Sequence, residues 1–261
     1  MATQEPSINF ELQPIEGSAS SFVGHVGSTQ VFVKKNGSPL LPSLSTEGIS
    51  PKILWIRNTP EGDTLTAQSW IEGHTLRTDE MAEPQVGKIL EHLHNSRALR
   101  DSLSTFDRSV ARPAELLNAL LVDGSPVSRN NYLRQIADDM LQTVPALNNL
   151  TIVVVHGNVA PESWLKDEKT GRVYLTNWDQ VSLGDSFYDT AFLLSHYIAR
   201  RDWGEWLAQT GYDVKDILVL AKIKWYGRLS FLKQINRYLL EGNTFAANAE
   251  ILALRKFGEL F

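Results

Sequence analysis

Near residue 72 the spacing of apolar residues changes, and with it the kind of secondary structure the chain can bury. Before that point apolar and polar side chains alternate, the period of two that lays one face of a strand on a core. Ile8-Asn9-Phe10-Glu11-Leu12, Phe22-Val23-Gly24-His25-Val26 and Gln30-Val31-Phe32-Val33-Lys34 follow one another. The small residues Gly17-Ser18-Ala19-Ser20-Ser21 and a short Gly-Ser connection separate them. Ile53-Leu54-Trp55-Ile56 and Leu65-Thr66-Ala67-Gln68-Ser69-Trp70 come next, with Glu61-Gly62-Asp63 as the turn between them. These runs predict a five-stranded antiparallel sheet, with one short helix over residues 41–48 inserted after the third strand.

Beyond residue 72 the period becomes that of a helix. Within residues 80–96, Val86, Ile89, Leu90 and Leu93 stand at i, i+3, i+4 and i+7, one buried face. Residues 113–122, 128–144, 217–240 and 245–257 are further helical stretches, and the third carries Trp225, Leu229, Leu232 and Ile235 at helical spacing. One island interrupts them: residues 151–155 and 172–176 are β-rich runs flanking a loop, which predicts a hairpin. The expected fold class is therefore α+β. Residues 1–71 form a small antiparallel β lobe, residues 72–261 a larger, mainly helical lobe, and a cleft between lobes is where a ligand is expected.

Composition removes several functions. There is no cysteine, so disulfides, thiolate metal sites and cysteine nucleophiles are excluded. Lys plus Arg is 25 against 30 for Asp plus Glu, a net charge of −5 that speaks against nucleic acid or a membrane surface as partner. The first ten residues lack the basic and apolar regions of a signal peptide, and no apolar run approaches the ~20 residues of a membrane helix. The expected location is the cytoplasm.

The island carries a resemblance. Val154-Val155-His156-Gly157-Asn158-Val159-Ala160-Pro161-Glu162-Ser163 is similar to the catalytic loop of aminoglycoside phosphotransferases and choline kinases, where His-Gly-Asp is followed after four residues by Asn. Leu175-Thr176-Asn177-Trp178-Asp179 resembles their metal-binding segment, and Gly184-Asp185-Ser186-Phe187-Tyr188-Asp189-Thr190-Ala191 resembles the segment after it. The resemblance implies a two-lobed, protein-kinase-like fold and a phosphoryl-transfer site using ATP and Mg. It places Lys34 on the nucleotide phosphates with Glu47 as its partner, as that chemistry requires. It places the Gly17 to Ser21 turn over the phosphates and Gln68, Trp70 and their neighbours at the adenine hinge.

The same comparison exposes departures. Phosphoryl transfer is mostly positioning and charge neutralisation. The carboxylate that takes the acceptor proton is replaced by Asn158, which orients a hydroxyl but is no general base; such bases contribute about 10²–10⁴-fold. The metal-ligand positions carry Ser163 and Asn177, yet magnesium is usually held by carboxylates. On an extended strand Asp179 would share a face with Asn177 and reach a metal. Glu162 is the other nearby carboxylate. His156 is expected to organise the loop, and Asp185 and Asp189 to cap and brace the following helix.

Three functions stay open on these residues. The first is a pseudokinase that binds a nucleotide or small ligand with weak or no transfer. The second is an active ATP-dependent kinase of a hydroxylated acceptor of the aminoglycoside or choline type, with Asp179 or water completing the metal site. The third is a non-catalytic interaction protein with a closed cleft. A net charge of −5 suits a cationic acceptor, though spread over 261 residues it selects none. His92 and His94 lie on different faces of a helix and make a poor metal pair. Asp138 and Asp139 read as solvated surface. Trp203, Trp206, Trp225 and Tyr226 read mainly as core, with an aromatic ligand wall as the alternative.

Overall fold

The computed structural model describes residues 12–107, 109–148 and 151–261. It divides into two compact units: the described residues up to Thr75 together with Ser163–Asp179, and Leu76–Glu162 together with Gln180–Phe261.

In the first unit, β1 (Gln13–Pro14), β2 (Ser21–Val26), β3 (Thr29–Lys35), β4 (Ile53–Asn58) and β5 (Thr64–Ser69) form an antiparallel sheet in the order β1-β2-β3-β5-β4. The predicted first strand, residues 8–12, lies outside the described residues except for Leu12. The alternation read from the sequence sets the faces: Val31, Val33 and Ala67 are buried, and Leu12, Phe22, Trp55 and Leu65 pack against them. Lys34 follows Val33 and so belongs to the other face of β3. After β3 comes α1 (Leu41–Thr46), which buries Leu41 and Leu44. It ends two residues earlier than predicted because Gly48 turns left-handed, with φ 72°.

A second small sheet completes this unit. β6 (Gly73–Thr75), β9 (Trp164–Asp167) and β10 (Val173–Leu175) run antiparallel in the order β10-β9-β6. The β9–β10 hairpin is tied to the end of α1, where Leu175 N–H donates to Ile49 O at 2.9 Å and Arg172 Nη2 to Gly48 O at 2.8 Å.

The second unit contains α2 (Pro84–Asn95), α3 (Arg97–Phe106), β7 (Val110–Ala111), α4 (Pro113–Asn118), α5 (Pro126–Arg129), α6 (Asn131–Leu141) and β8 (Ile152–Val155). After the excursion into the first unit come β11 (Ser182–Asp185), α7 (Phe187–His196), α8 (Trp203–Gln209), α9 (Ile217–Leu240) and α10 (Thr244–Gly258). β8 and β7 flank β11, antiparallel and parallel respectively. The expected pairing of residues 151–155 with 172–176 is therefore corrected: the first run pairs with β11 and the second with β9. The reason is local. Pro161–Ser163 is a tight 3-10 turn that releases Trp164 into a new strand, and that strand is the nearest partner for β10.

The single helix expected over 128–144 is two. Asn130 breaks it by capping α6, its Oδ1 accepting from Tyr132 N–H and Leu133 N–H. α9 is the spine of the unit, capped by Asp216 and burying Trp225, Leu229, Leu232 and Ile235. Trp203, Trp206, Trp225 and Tyr226 are all buried core. Trp225 Nε1 donates to Met140 O at 2.9 Å, tying α9 to α6.

Candidate active site

Each unit carries part of the predicted site. In the first, the ammonium of Lys34 lies 3.1 Å from Asp179 Oδ2. The lysine side chain is 14% exposed and the carboxylate 60%. Asp179 does not reach this position on a strand. β10 stops at Leu175, Asn177 turns left-handed at φ 59°, and Trp178–Gln180 is a 3-10 turn locked by Trp178 Nε1 donating to Leu175 O at 3.0 Å. The strand alternation expected to put Asp179 and Asn177 on one face is thus absent. Asparagine is among the few side chains that tolerate a left-handed backbone, because its short amide bonds locally.

Ser163 is fully buried, and its carbonyl accepts from Thr176 N–H at 2.7 Å and Thr176 Oγ1 at 3.0 Å. These two hydrogen bonds set Ser163 beside the Thr176-Asn177 corner. The Gln68 side chain is buried, its Nε2 donating to Pro51 O at 3.0 Å, and the chain leaves the sheet at Trp70. Glu47 is half-buried at the end of α1, its backbone N–H closing the last turn on Ser43 O at 3.0 Å. The Gly17 turn is closed by Ser18 N–H on Ile15 O and by Ile15 N–H on Ser21 O.

In the second unit, His156 is fully buried at the end of β8. Its Nδ1 accepts from Asn158 N–H at 3.3 Å, which fixes the loop's curvature. Asp189, from the first turn of α7, holds the same loop from below. Oδ2 accepts from His156 N–H at 2.8 Å, Oδ1 from Gly157 N–H at 2.9 Å, and His94 Nε2 lies 3.1 Å from Oδ2. Burial by itself would raise the Asp189 carboxyl. The hydrogen bond and charge of His94, with the charge and N–H of His156, outweigh it and hold the group below the usual carboxylate range. Asp189 therefore braces the loop, not the helix it sits on. Asp185 does serve that helix, its Oδ1 accepting from Phe187 N–H at 3.1 Å and its Oδ2 lying 2.6 Å from Lys222 Nζ.

The loop opens on a cavity of about 160 Å³. Asn158 and Gly157 line one side, Gln180 and Tyr188 contribute, and α9 supplies Lys233 and Arg237. Lys233 Nζ bonds the Tyr188 hydroxyl and lies 3.5 Å from Gly157 O. These residues of α9 were missed in the sequence. Ser230, Lys233, Gln234 and Arg237 recur at i, i+3, i+4 and i+7, a polar stripe along an apolar helix. That stripe was the available signal.

Residues 38–221, well over half of the chain, match the Phosphotransferase enzyme family. The chain belongs to this family. Solved structures share the fold of this family member. It superposes on the GDP and kanamycin complex of APH(2″)-IIia with TM-score 0.69 and 15% identity, covering 98% of this chain and 96% of the other. Choline kinase LicA from Streptococcus pneumoniae gives 0.62 and 15%, covering 94% and 93%. A choline/ethanolamine kinase family protein from Mesorhizobium loti gives 0.67 and 14%, covering 94% and 87%. The α+β, protein-kinase-like fold is thus established for this family member.

A divalent metal is implied by the family chemistry, and the donor set of the first unit does not suit one. Asn177 and Ser163 offer neutral oxygens, and the one carboxylate beside them, Asp179, lies 3.1 Å from the Lys34 ammonium. Among the described residues, no three His, Asp or Glu side chains gather to hold a metal ion.

Proposed function

We propose that this phosphotransferase-family chain is a pseudokinase: it binds a nucleotide or small ligand, with weak or no phosphoryl transfer. The observation that carries the reading is the replacement of both catalytic carboxylates by amides, Asn158 and Asn177, while the remaining carboxylate, Asp179, is held by Lys34. Lys34 is a chemically sound contact for nucleotide phosphates, and one relative was solved with GDP. On this reading the phosphates displace Asp179 from Lys34, and the chain from Gln68 to Trp70 receives the base.

At the other end of the reaction, Asn158 aligns a hydroxyl through its amide but cannot remove the proton. Loss of a general base removes about 10²–10⁴-fold of rate. Asn177 removes a full negative charge from the place where a dication would be held. The lobe of residues 1–71 would take the nucleotide and that of 72–261 the acceptor. We place the protein in the cytoplasm; among the described residues no helix is long and apolar enough to cross a membrane.

Thermal unfolding with ATP, with and without magnesium, tests the reading. A ligand at 100 times its Kd adds about 2.7 kcal/mol of stability. A rise in Tm with ATP that is the same with and without magnesium is expected. A rise that needs magnesium, with ADP formed in proportion to acceptor, contradicts the pseudokinase reading.

A further inference from the structure

The cavity beside the loop has a chemical character that the loop does not dictate. Its cations come from α9. Lys233 and Arg237 stand one turn apart, so their side chains project from the same face within reach of one small group. The only carboxylate among the residues lining it is Asp189, and both its oxygens are already taken by His94 and by the N–H groups of His156 and Gly157. Two cations against this one hydrogen-bonded carboxylate leave the lining net positive.

Nor are the cations consumed. Lys233 has three N–H donors, of which two meet the Tyr188 hydroxyl and Gly157 O. Arg237 gives Nε–H to Gln234 Oε1 at 3.0 Å, leaving four of its five N–H donors. Among the described residues neither side chain pairs with a carboxylate. Gln234 and Tyr188 instead hold the two cations in place by neutral hydrogen bonds. Neutral supports preserve the positive potential, where a carboxylate would cancel it. Ser230, Gln180 and Asn158 add neutral polar groups around the same space.

We propose that this cavity binds a small hydroxylated acid, its carboxylate or phosphate group on Lys233 and Arg237 and its hydroxyls toward Asn158 and Gln180. The fork of Arg237 and the point charge of Lys233 together suit an oxyanion. A cationic amino sugar or choline meets two like charges here and is disfavoured. The orientation of the hydroxyl end rests on the reading of Asn158 given above; the anion end rests on the cavity alone.

Calorimetric titration of the nucleotide-free protein tests this, with gluconate as the hydroxylated carboxylate and glucose 6-phosphate as the phosphate. Glucose, choline and kanamycin serve as neutral and cationic controls. At least one of the two acids is expected to bind, and glucose, choline and kanamycin to bind at least tenfold more weakly. Affinity for the acid is expected to fall by about tenfold or more in Arg237→Gln and in Lys233→Met, since each removes hydrogen bonds to a charged group. Lys233→Arg is expected to restore it in part. Lys34→Met is expected to leave acid binding unchanged while abolishing ATP binding, measured on the same samples. Arg237 is exposed, so its variant should fold; Lys233→Arg covers the half-buried position. The proposal is overturned if neither acid binds, if kanamycin or choline binds as well as the acid, if acid binding survives both α9 variants, or if it is lost in Lys34→Met. ATP binding without acid binding overturns this inference alone, and acid binding without ATP binding overturns the nucleotide reading alone.

Discussion

Lys34 Nζ and Asp179 Oδ2 lie 3.1 Å apart, so the lysine proposed to meet nucleotide phosphates is engaged by a carboxylate. Asp179 is 60% exposed, and pairs this open to solvent contribute about 0.2–1 kcal/mol. The contact is weak enough for a phosphate to displace. Asp179→Asn is expected to leave Tm nearly unchanged and to tighten ATP binding about 1.5- to 5-fold, the equivalent of that energy. Calorimetric titration with and without magnesium checks it. Weaker ATP binding confined to the magnesium arm would instead make Asp179 a metal ligand.

Asp189, itself buried beside the buried His156, anchors the loop through two N–H groups and His94. Removing a charge from such a network strands its partners, and Asp189→Ala is expected to cost at least about 3 kcal/mol, a fall in Tm of roughly 6–12 °C. Circular dichroism melts check this.

The same carboxylate fixes an acid dependence. Its pKa is lowered in the folded protein, so the stability it contributes is complete above the unfolded value of about 3.9 and is lost as the pH falls through the lower folded value. Between pH 5 and pH 3 the Tm of the wild type is expected to fall more steeply than that of Asp189→Asn. Equal slopes would show that the group is not held low.

Gly157 has φ 83°, and a Cβ built there would stand 2.8 Å from Gln180 O. Gly157→Ala is expected to cost about 1–3 kcal/mol from backbone strain alone and to shift Asn158 in the cavity wall. A melt that matches wild type would contradict this account of the loop.

Much of the fold was legible because it is local. The alternation around Val31, Val33 and Ala67 gave the sheet its faces, and the run from Ile217 to Leu240 gave α9 both of its ends. What failed was pairing and punctuation. Which strand β8 joins is decided by β11, some thirty residues later, and no spacing within β8 encodes it. Asn130 lies inside the stretch expected as one helix and is instead the cap of α6. α3 was missed because Leu99 and Leu103 are its only buried residues, too few to register as a period. At the site, the motifs brought His156, Asn158, Ser163 and Asn177 to attention. They said nothing of His94, which reaches Asp189 across 95 residues of sequence, nor of Lys233 and Arg237, whose charge has meaning only beside the loop.

Restoring the carboxylates tests the central claim most directly. Asn158→Asp combined with Asn177→Asp should fold as the wild type does, since Asn177 is exposed, Asn158 is half-buried, and aspartate shares asparagine's tolerance of a left-handed backbone. Magnesium-dependent ATP hydrolysis is the readout. The account predicts hydrolysis at background in the wild type and a rise of at least tenfold in the double variant. Robust magnesium-dependent hydrolysis by the wild type, or no rise at all in a folded double variant, would contradict it.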